Sequence, residues 1–273
     1  MKVKKRIVKI FKILVRPFLK KGIGKFFPVK AGYNFLISFL NPIIVEGNKI
    51  FVEPTDGLGL LISPAYEPFG TQIFKREVKE GDTVLDLGAH IGYYTLIAAK
   101  LVGPKGRVFA FEPNPGNFAF LKKNIKINGY RNIAPVQKAI SNKNGIGRLY
   151  LARKSVSHRM YKSYGNQPFL EVETIRLDDF IKGRVDVVRL DIEGCEWLAI
   201  QGMNSILKRN SSIKIITRFS SRLSIASGIK PIEYLKTLKK WGFKLHEINE
   251  KEKELKPINN IEQLSQCTLL CKK

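Results

Sequence analysis

The fold is decided by the stretch TVLDLGAHIGYYTLIAAK, residues 83–100. An apolar run ends at Asp86, a tight turn with Gly88 and Gly92 follows, and a segment with the apolar periodicity of a helix begins. A strand that passes through a glycine turn into a helix is typical of open α/β sheets, whose ligands bind at the carboxyl ends of the strands. We therefore expect a ligand to bind beside this turn and to approach its backbone closely at the glycines.

A second acidic residue marks the end of the next predicted strand. Glu112 lies in FAFEPNP, 26 residues after Asp86, which is about the length of one strand–helix–strand unit. Dinucleotide-binding turns read GxGxxG, whereas this turn reads GxxxG after an acid that would repel a pyrophosphate and attract an amino group. A carboxylate at Glu112 can accept hydrogen bonds from ribose hydroxyls. A glycine turn alone often has only a structural role. The prediction of a ligand with an aminoacyl group and a ribose therefore depends on both acids.

Strands and helices alternate from Asp82 onward, which predicts a mainly parallel sheet with helices on both faces. An insertion at about 141–180 carries two β-like runs, Gly147–Leu151 and Phe169–Thr174. The predicted strands of the sheet are Thr83–Asp86, Arg107–Glu112, Ala134–Ala139, Val185–Asp191, Ile213–Arg218, Lys244–Glu247 and Cys267–Cys271. The predicted helices are Tyr93–Leu101, Pro115–Asn128, Cys195–Lys208 and Pro231–Trp241.

The fold class is therefore α/β, a Rossmann-like, doubly wound and mainly parallel seven-stranded sheet, in a domain that spans 81–273. Residues 43–80 are predicted to form a small β/α extension, with a hairpin around Glu46-Gly47-Asn48 and a helix from Tyr66 to Val78. Residues 1–42 form a separate basic segment.

A further group of acids follows the strand Val185–Asp191. The run DIEGCE places Asp191, Glu193 and Glu196 at the carboxyl end of that strand, across the predicted switch point from Asp86. Carboxylates at the ligand-binding edge of the sheet predict a role in catalysis or substrate binding. The alternative for Glu193 and Glu196 is that they are first-turn acids favoured by the helix dipole.

Three blocks of the sequence, DLGAHIGYYT, FEPNP and RLDIEGCE, lie in this order between Asp82 and Met203. In these blocks the chain closely resembles the FkbM family of methyltransferases. The resemblance implies the class I methyltransferase fold, S-adenosyl-L-methionine as cofactor, and O-methylation of a hydroxyl of a sugar, a glycan or another small molecule. It implies cofactor-binding roles for Asp86, Gly88, His90, Gly92 and Glu112, with His90 where the family usually has asparagine, and places Asn114 and Ala139 at the adenosine.

The chemistry implied by the resemblance gives the acids after the strand Val185–Asp191 specific roles. Methyl transfer from a sulfonium is an in-line displacement, so the enzyme must hold a hydroxyl in line and remove its proton. We expect Asp191 to act as the base or as the acceptor that orients the hydroxyl, with support from Glu193. Glu196 either binds the acceptor molecule or caps the start of its helix.

Two residues depart from the family pattern. Arg189 stands where the family usually has lysine two residues before Asp191, and arginine keeps the charge but cannot act as a base. Arg218 stands where relatives commonly carry a glutamate. The loss of that glutamate argues against a metal site built from its strand and would suit a changed, anionic substrate.

The charge balance raises an alternative, an RNA or DNA methyltransferase. The chain has 48 Lys and Arg against 23 Asp and Glu, a formal net charge of +25, and such a field attracts polyanions. However, nucleic-acid enzymes that methylate amino groups generally carry an Asn/Asp-Pro-Pro-aromatic tetrad where this chain reads DIEG. We therefore predict a small-molecule or glycan acceptor and no nucleic-acid partner. A third alternative is a non-catalytic, membrane-associated protein that retains the fold.

The N-terminus is basic and amphipathic. Within 1–20, apolar residues recur every three or four positions between lysines and arginines, and the first acidic residue of the chain is Glu46. This pattern predicts a helix that either lies on an anionic membrane surface or packs on the protein's own core. No run approaches the roughly 18–20 apolar residues of a membrane span, and no signal-peptide cleavage site follows. The three cysteines form no CxxC pair, so we expect no metal site and a cytoplasmic protein. If the N-terminal helix lies on the membrane surface, the protein is peripheral at the inner face of the membrane.

Overall fold

The structure, a computed structural model, describes residues 37, 39–54, 56–61, 63 and 65–273. The amphipathic helix predicted within residues 1–20 lies outside the described residues. The chain divides into two compact units, Met1–Tyr66 and Glu67–Lys273. In the first unit, β1 (Ile43–Val45) and β2 (Asn48–Ile50) pair antiparallel, which confirms the predicted hairpin. The two residues of its turn have φ values of 50° and 78°, typical of a two-residue hairpin turn.

The second unit is built on an eight-stranded sheet with the order β12-β11-β13-β10-β9-β3-β4-β5. The five strands β10, β9, β3, β4 and β5 are parallel to one another. β13 pairs antiparallel with both β10 and β11, and β12 pairs antiparallel with β11. The chain runs outward from β3 through β4 to β5 and then crosses to β9 and β10, so the strand order reverses between β3 and β9. The strands are β3 (Thr83–Leu87), β4 (Arg107–Phe111), β5 (Ile133–Val136), β9 (Val187–Leu190), β10 (Lys214–Ser220), β11 (Lys244–Asn249), β12 (Glu254–Pro257) and β13 (Gln266–Lys272).

Helices cover the sheet between its strands, so the central strands are buried on both faces. All four residues of β9 are buried, which explains the nearly continuous apolar runs in the sequence. The largest core cluster joins Val188 and Ile215 of the sheet to Ile200, Leu207 and Leu238 of the helices. The helices are α1 (Pro68–Glu77), α2 (Tyr93–Val102), α3 (Pro115–Asn128), α4 (Leu177–Phe180), α5 (Glu196–Gly202), α6 (Asn204–Arg209), α7 (Ser221–Ala226) and α8 (Pro231–Lys240).

The predicted insertion forms a separate three-stranded sheet, called the small sheet below. Its strands are β6 (Ala139–Ser141), β7 (Gly145–Tyr150) and β8 (Phe169–Arg176), in the order β6-β8-β7. The doubly wound α/β fold predicted from the sequence is confirmed, with two differences in detail. The third strand ends at Val136, so Ala139 begins β6 instead of ending that strand. The sheet also gains an eighth strand, because β12 pairs with β11 at its edge.

No helix in the described part of the chain is long and apolar enough to cross a membrane.

Candidate active site

The turn from Gly88 to Gly92, called the glycine turn, is held closely by other parts of the protein. Gly88 has a φ of 88°, and an ideal Cβ there would lie 2.1 Å from the carbonyl oxygen of Asp191. Gly92 has a φ of 97°, and its ideal Cβ would lie 2.8 Å from Cδ1 of Leu121. Both positions therefore require glycine. The close neighbours are protein atoms, and at Gly88 they hold the turn against the loop that follows β9.

Asp86 lies in β3 just before the glycine turn, with 2% of its surface exposed. Its Oδ2 accepts a hydrogen bond from the Thr95 hydroxyl at 2.5 Å, and its register partner on β9 is Arg189. Burial raises the pKa of Asp86 to about 6, although the Arg189 charge opposes this shift. Asp86 is therefore an enclosed acceptor at the base of the turn.

Glu112 follows β4 and is bonded to the glycine turn. Its Oε2 accepts from the backbone N–H of His90 at 2.9 Å, and its Oε1 accepts from the backbone N–H of Asn114 at 2.9 Å. Burial raises the pKa of Glu112 to about 7. The structure thus brings together the glycine turn and the two acids that the sequence analysis predicted to bind a ligand.

The two residues assigned to the adenosine have other neighbours in the structure. Asn114 caps α3, because its Oδ1 accepts from the backbone N–H of Asn117 at 3.0 Å. Ala139 is 3% exposed and packs with Leu149 and Val172 in the small sheet. The side chain of Ala139 therefore faces an apolar cluster.

Asp191 follows β9 and contacts two arginines. Its Oδ2 lies 2.9 Å from Nη2 of Arg189 and 3.4 Å from Nε of Arg218. Burial alone would raise the pKa of Asp191, but the charges of Arg189 and Arg218 outweigh it and lower that pKa below its ordinary value. Within the described part of the chain, the other oxygen, Oδ1, is buried and has no hydrogen-bond partner.

Both departures from the family pattern belong to one charged cluster. Arg189 is 2% exposed, and its guanidinium carbon lies 4.7 Å from the centre of the Tyr94 ring. A charge buried this deeply requires acidic partners. Arg189 lies 3.8 Å from Glu67, and Arg218 donates a hydrogen bond to the same carboxylate. Glu67 therefore balances the charge that the arginine at 218 introduces.

Glu193 has a backbone conformation that is unusual for a residue with a side chain. Its φ is 55°, in a region where such residues are uncommon and where strain tends to accompany function. Its carboxylate is one-fifth exposed and lies 3.5 Å from Nη2 of Arg159. Burial and the nearby charge of Asp191 raise the pKa of Glu193, against the opposing charges of Arg159 and Arg218. The Glu193 carboxylate is thus partly exposed and is easier to protonate than an ordinary glutamate.

Glu196, the first residue of α5, binds the backbone of its own loop. Its carboxylate accepts from the N–H of Ile192 at 3.2 Å and from the N–H of Gly194 at 3.1 Å. Burial raises the pKa of Glu196 to about 7, and only 5% of the residue is exposed. Both N–H groups precede the helix, so these contacts hold the loop before α5 and do not cap the helix.

The insertion reaches the site from the side of the small sheet. The Ser155 hydroxyl lies 2.9 Å from Nε2 of His90, and the Ser155 carbonyl accepts from Nδ2 of Asn117 at 3.3 Å. Four residues later, Arg159 contacts Glu193. The insertion therefore touches both the glycine turn and the acids after β9.

Sequence reasoning missed Glu67 and Arg159 as members of this site. Glu67 lies 151 residues before Arg218 and has a φ of 43°, and neither property can be read from local periodicity. Arg159 stands in an insertion without strong periodicity. The one available signal was the arginine at 218, since a charge reversal at a buried position calls for an acid elsewhere.

More than half of the chain matches one known methyltransferase family. The family described as "Methyltransferase FkbM domain" matches residues 86–248. The hexuronic acid methyltransferase AglP of Haloferax volcanii is 24% identical over 171 residues, which cover 61% of this chain and 65% of AglP. A tRNA(Phe) (4-demethylwyosine(37)-C(7)) aminocarboxypropyltransferase of Methanocaldococcus jannaschii is 42% identical over 57 residues, 21% of this chain and 22% of that enzyme. The chain thus spans less than two thirds of these relatives.

Among solved structures, methyltransferase FkbM from Methylobacillus flagellatus has a TM-score of 0.45 at 12% identity, covering 78% of this chain and 52% of that one. A SAM-dependent O-methyltransferase from Thermotoga maritima has a TM-score of 0.46 at 15% identity, covering 85% and 76%. The family match includes Asp86, Glu112 and the acids after β9. With its class I methyltransferase fold and with S-adenosylmethionine as its cofactor, the chain belongs to the FkbM methyltransferase family.

Proposed function

We propose that this protein transfers the methyl group of S-adenosylmethionine to a hydroxyl of a sugar or glycan. The observation that carries the proposal is the contact between the glycine turn and the loop after β9, at Gly88 and Asp191. We expect the cofactor to bind at the glycine turn, at the reversal of strand order, and the contact with the loop that carries Asp191 and Glu193 supports a catalytic role for these carboxylates. The name of the relative AglP, a hexuronic acid methyltransferase, supports a sugar as the acceptor.

The residues at the glycine turn fit this cofactor. Oε1 of Glu112 accepts from the backbone N–H of Asn114 and, at 3.4 Å, from Nδ2 of Asn117. Oε2 accepts only the backbone N–H of His90 among the described residues and keeps a second lone pair, so it can also accept from a ribose hydroxyl. Asp86 places a second carboxylate at the base of the turn, where a cationic amino group would be attracted. Both acids lie at the carboxyl ends of neighbouring strands.

When bound, the cofactor supplies an electrophilic methyl group on a sulfonium. The protein then has to orient the acceptor hydroxyl and take its proton. The two arginines on Asp191 make it a weak base, while the raised pKa of Glu193 brings that carboxylate closer to neutral pH. We therefore assign proton removal to Glu193 and orientation of the hydroxyl to Oδ1 of Asp191, which has no protein partner among the described residues.

Transfer of a labelled methyl group tests the proposal. Purified protein, labelled S-adenosylmethionine and a fraction of cell-envelope glycans should give label in the glycan as a methyl ether, identified by mass spectrometry. Glu112→Gln should weaken cofactor binding about 10- to 100-fold in calorimetry, because it loses hydrogen bonds to a charged group. Glu171→Gln, an exposed carboxylate on β8, is the matched control and should leave binding unchanged. Label in RNA and none in glycan would contradict the proposed acceptor.

A further inference from the structure

The part of the insertion nearest the acids after β9 runs from His158 to Tyr161. The backbone N–H of Met160 lies against the Cys195 sulfur, and Arg159 contacts Glu193. The charge of Arg159 also acts on Tyr161, whose ring centre lies 5.8 Å from the guanidinium carbon. Arg159 therefore lies between the Tyr161 ring and the Glu193 carboxylate, in contact range of both.

On the Nε and Nη2 edge of the Arg159 guanidinium, only Nη2 has a partner among the described residues. The Nε and Nη2 atoms of a guanidinium point the same way and can hold both oxygens of a carboxylate. Here Nη2 contacts Glu193 at a long 3.5 Å, while Nε is buried and has no hydrogen-bond partner in the described part of the chain. A buried donor that makes no hydrogen bond costs about 1–3 kcal/mol of stability, so its presence calls for an explanation.

Two more buried polar atoms of the described residues have no hydrogen-bond partner. The Tyr161 hydroxyl and Oδ1 of Asp191 are both buried without a hydrogen-bond partner among the described residues. Glu193 lies 3.5 Å from Nη2 of Arg159 and interacts electrostatically with both Tyr161 and Asp191. One charged donor, one hydroxyl and one acceptor form a set that suits a ligand with an acid group and free hydroxyls.

We propose that the Nε and Nη2 edge of Arg159, assisted by the Tyr161 hydroxyl, binds the carboxylate of an acidic sugar acceptor. The inference rests on the proposed function and specifies its substrate class as uronic acids. A carboxylate has the planar, two-oxygen shape that this edge matches, whereas the neutral hydroxymethyl group of a hexose offers only one oxygen.

Binding in this way would also prepare the base. A substrate carboxylate on Arg159 competes with Glu193 for Nη2 and neutralises the charge that opposes protonation of Glu193. The Glu193 carboxylate is then released toward the acceptor hydroxyl, and its pKa moves further up toward neutral pH. An acidic sugar would therefore bind to Arg159 and Tyr161 and, by doing so, prepare Glu193 as the base.

The Nε–H signal of Arg159 gives a direct test by NMR of the full-length protein, labelled with ¹⁵N-arginine and saturated with S-adenosylhomocysteine. The signal is assigned as the one that is missing from the spectrum of the Arg159→Lys variant. D-glucuronate or D-galacturonate should shift it in a saturable way, while D-glucose, D-galactose and acetate at equal concentration should not. Tyr161→Phe should weaken the uronate response about tenfold, as expected for one lost hydrogen bond to a charged group. Arg148→Lys, an exposed arginine stacked on Phe169, should leave the response unchanged.

Each other outcome has a defined meaning. A signal that neither uronate moves would overturn the inference, and an equal response to acetate would overturn it in favour of an adventitious anion only. Methyl transfer to a neutral glycan without any uronate response would leave the proposed function standing and refute the acidic acceptor. A saturable uronate response without methyl transfer would support the carboxylate site and count against the proposed function.

Discussion

At the scale of single residues, two carboxylates two positions apart differ in chemistry because of their neighbours. Asp191 shares one oxygen between two guanidinium groups, so it remains an anion with little affinity for a proton. Glu193 has one long contact to Arg159, and burial together with the nearby charge of Asp191 raises its pKa. Environments that push two pKa values apart separate an orienting group from a base. The sequence motif alone could not make this assignment.

The pH dependence of turnover should follow Glu193. A base must be deprotonated, so kcat should rise with pH through the raised pKa of Glu193 and then level off. Glu193→Gln should lower kcat by about 10²–10⁴ and remove this acid limb. Asp191→Asn should keep the limb, because it removes an orienting group and leaves the base in place. Steady-state rates from pH 5 to 9 check both variants. An acid limb that survives in Glu193→Gln would return the role of base to Asp191.

At the scale of elements, the site depends on how closely two loops meet. The glycine turn follows β3, and the loop after β9 meets it because β3 and β9 are neighbouring parallel strands. The ideal Cβ of Gly88 would overlap the Asp191 carbonyl. The close approach of the two loops therefore sets the separation between the glycine turn and the carboxylates that follow β9.

Gly88→Ala should be more destabilising than a change in backbone conformation alone explains. Gly81 is a matched control, with a φ of 80° and no atom within 4 Å of its ideal Cβ. Alanine at either position costs about 1–2 kcal/mol for the left-handed conformation. At Gly88 the clash with Asp191 should add about 1–3 kcal/mol. Urea unfolding of both variants measures the difference, and equal losses would show that the loops have room to separate.

Elements with local signals could be predicted, and those set by distant contacts could not. The bounds of α3, Pro115–Asn128, were predicted correctly because proline begins the helix and Gly129 ends it. The predicted helix Cys195–Lys208 divides at Met203 into α5 and α6, although its apolar pattern continues across the break. The strand predicted to reach Ala139 stops earlier because Ala139 pairs with Thr174 of the small sheet. Partners far along the chain decide such boundaries.

The candidate site followed the same rule. Asp86, near the end of β3, and Glu112 and Asp191, directly after β4 and β9, could be predicted as site residues because the parallel topology brings strand ends together. Glu67 and Arg159 reach the site from outside the regular alternation of strands and helices, so no spacing pointed to them. Their positions depend on tertiary packing, which a single sequence does not encode locally.

At the scale of the whole molecule, positive charge is the dominant feature, and it is concentrated at the N-terminus. Eleven lysines and arginines fall within residues 1–30, out of 48 in the chain. The rest of the protein is still strongly basic, so attraction to an anionic surface alone would not identify the N-terminal segment as a membrane contact. The apolar stripe in the same segment is the feature that would distinguish insertion into a membrane from simple attraction of a basic protein to an anionic surface.

Binding to vesicles should therefore depend on both charge and stripe in residues 1–20. Each basic residue near an anionic surface contributes about 1 kcal/mol, which salt screens, whereas burial of an isoleucine or phenylalanine contributes about 1.5–3 kcal/mol and is not screened. We expect the full chain to sediment with phosphatidylglycerol vesicles and to stay partly bound at high salt. A variant with Ile7→Ser and Phe11→Ser keeps every charge and should be released by salt. If this variant and the full chain resist salt equally, the stripe does not enter the membrane, and packing on the protein's own core becomes the better account of residues 1–20.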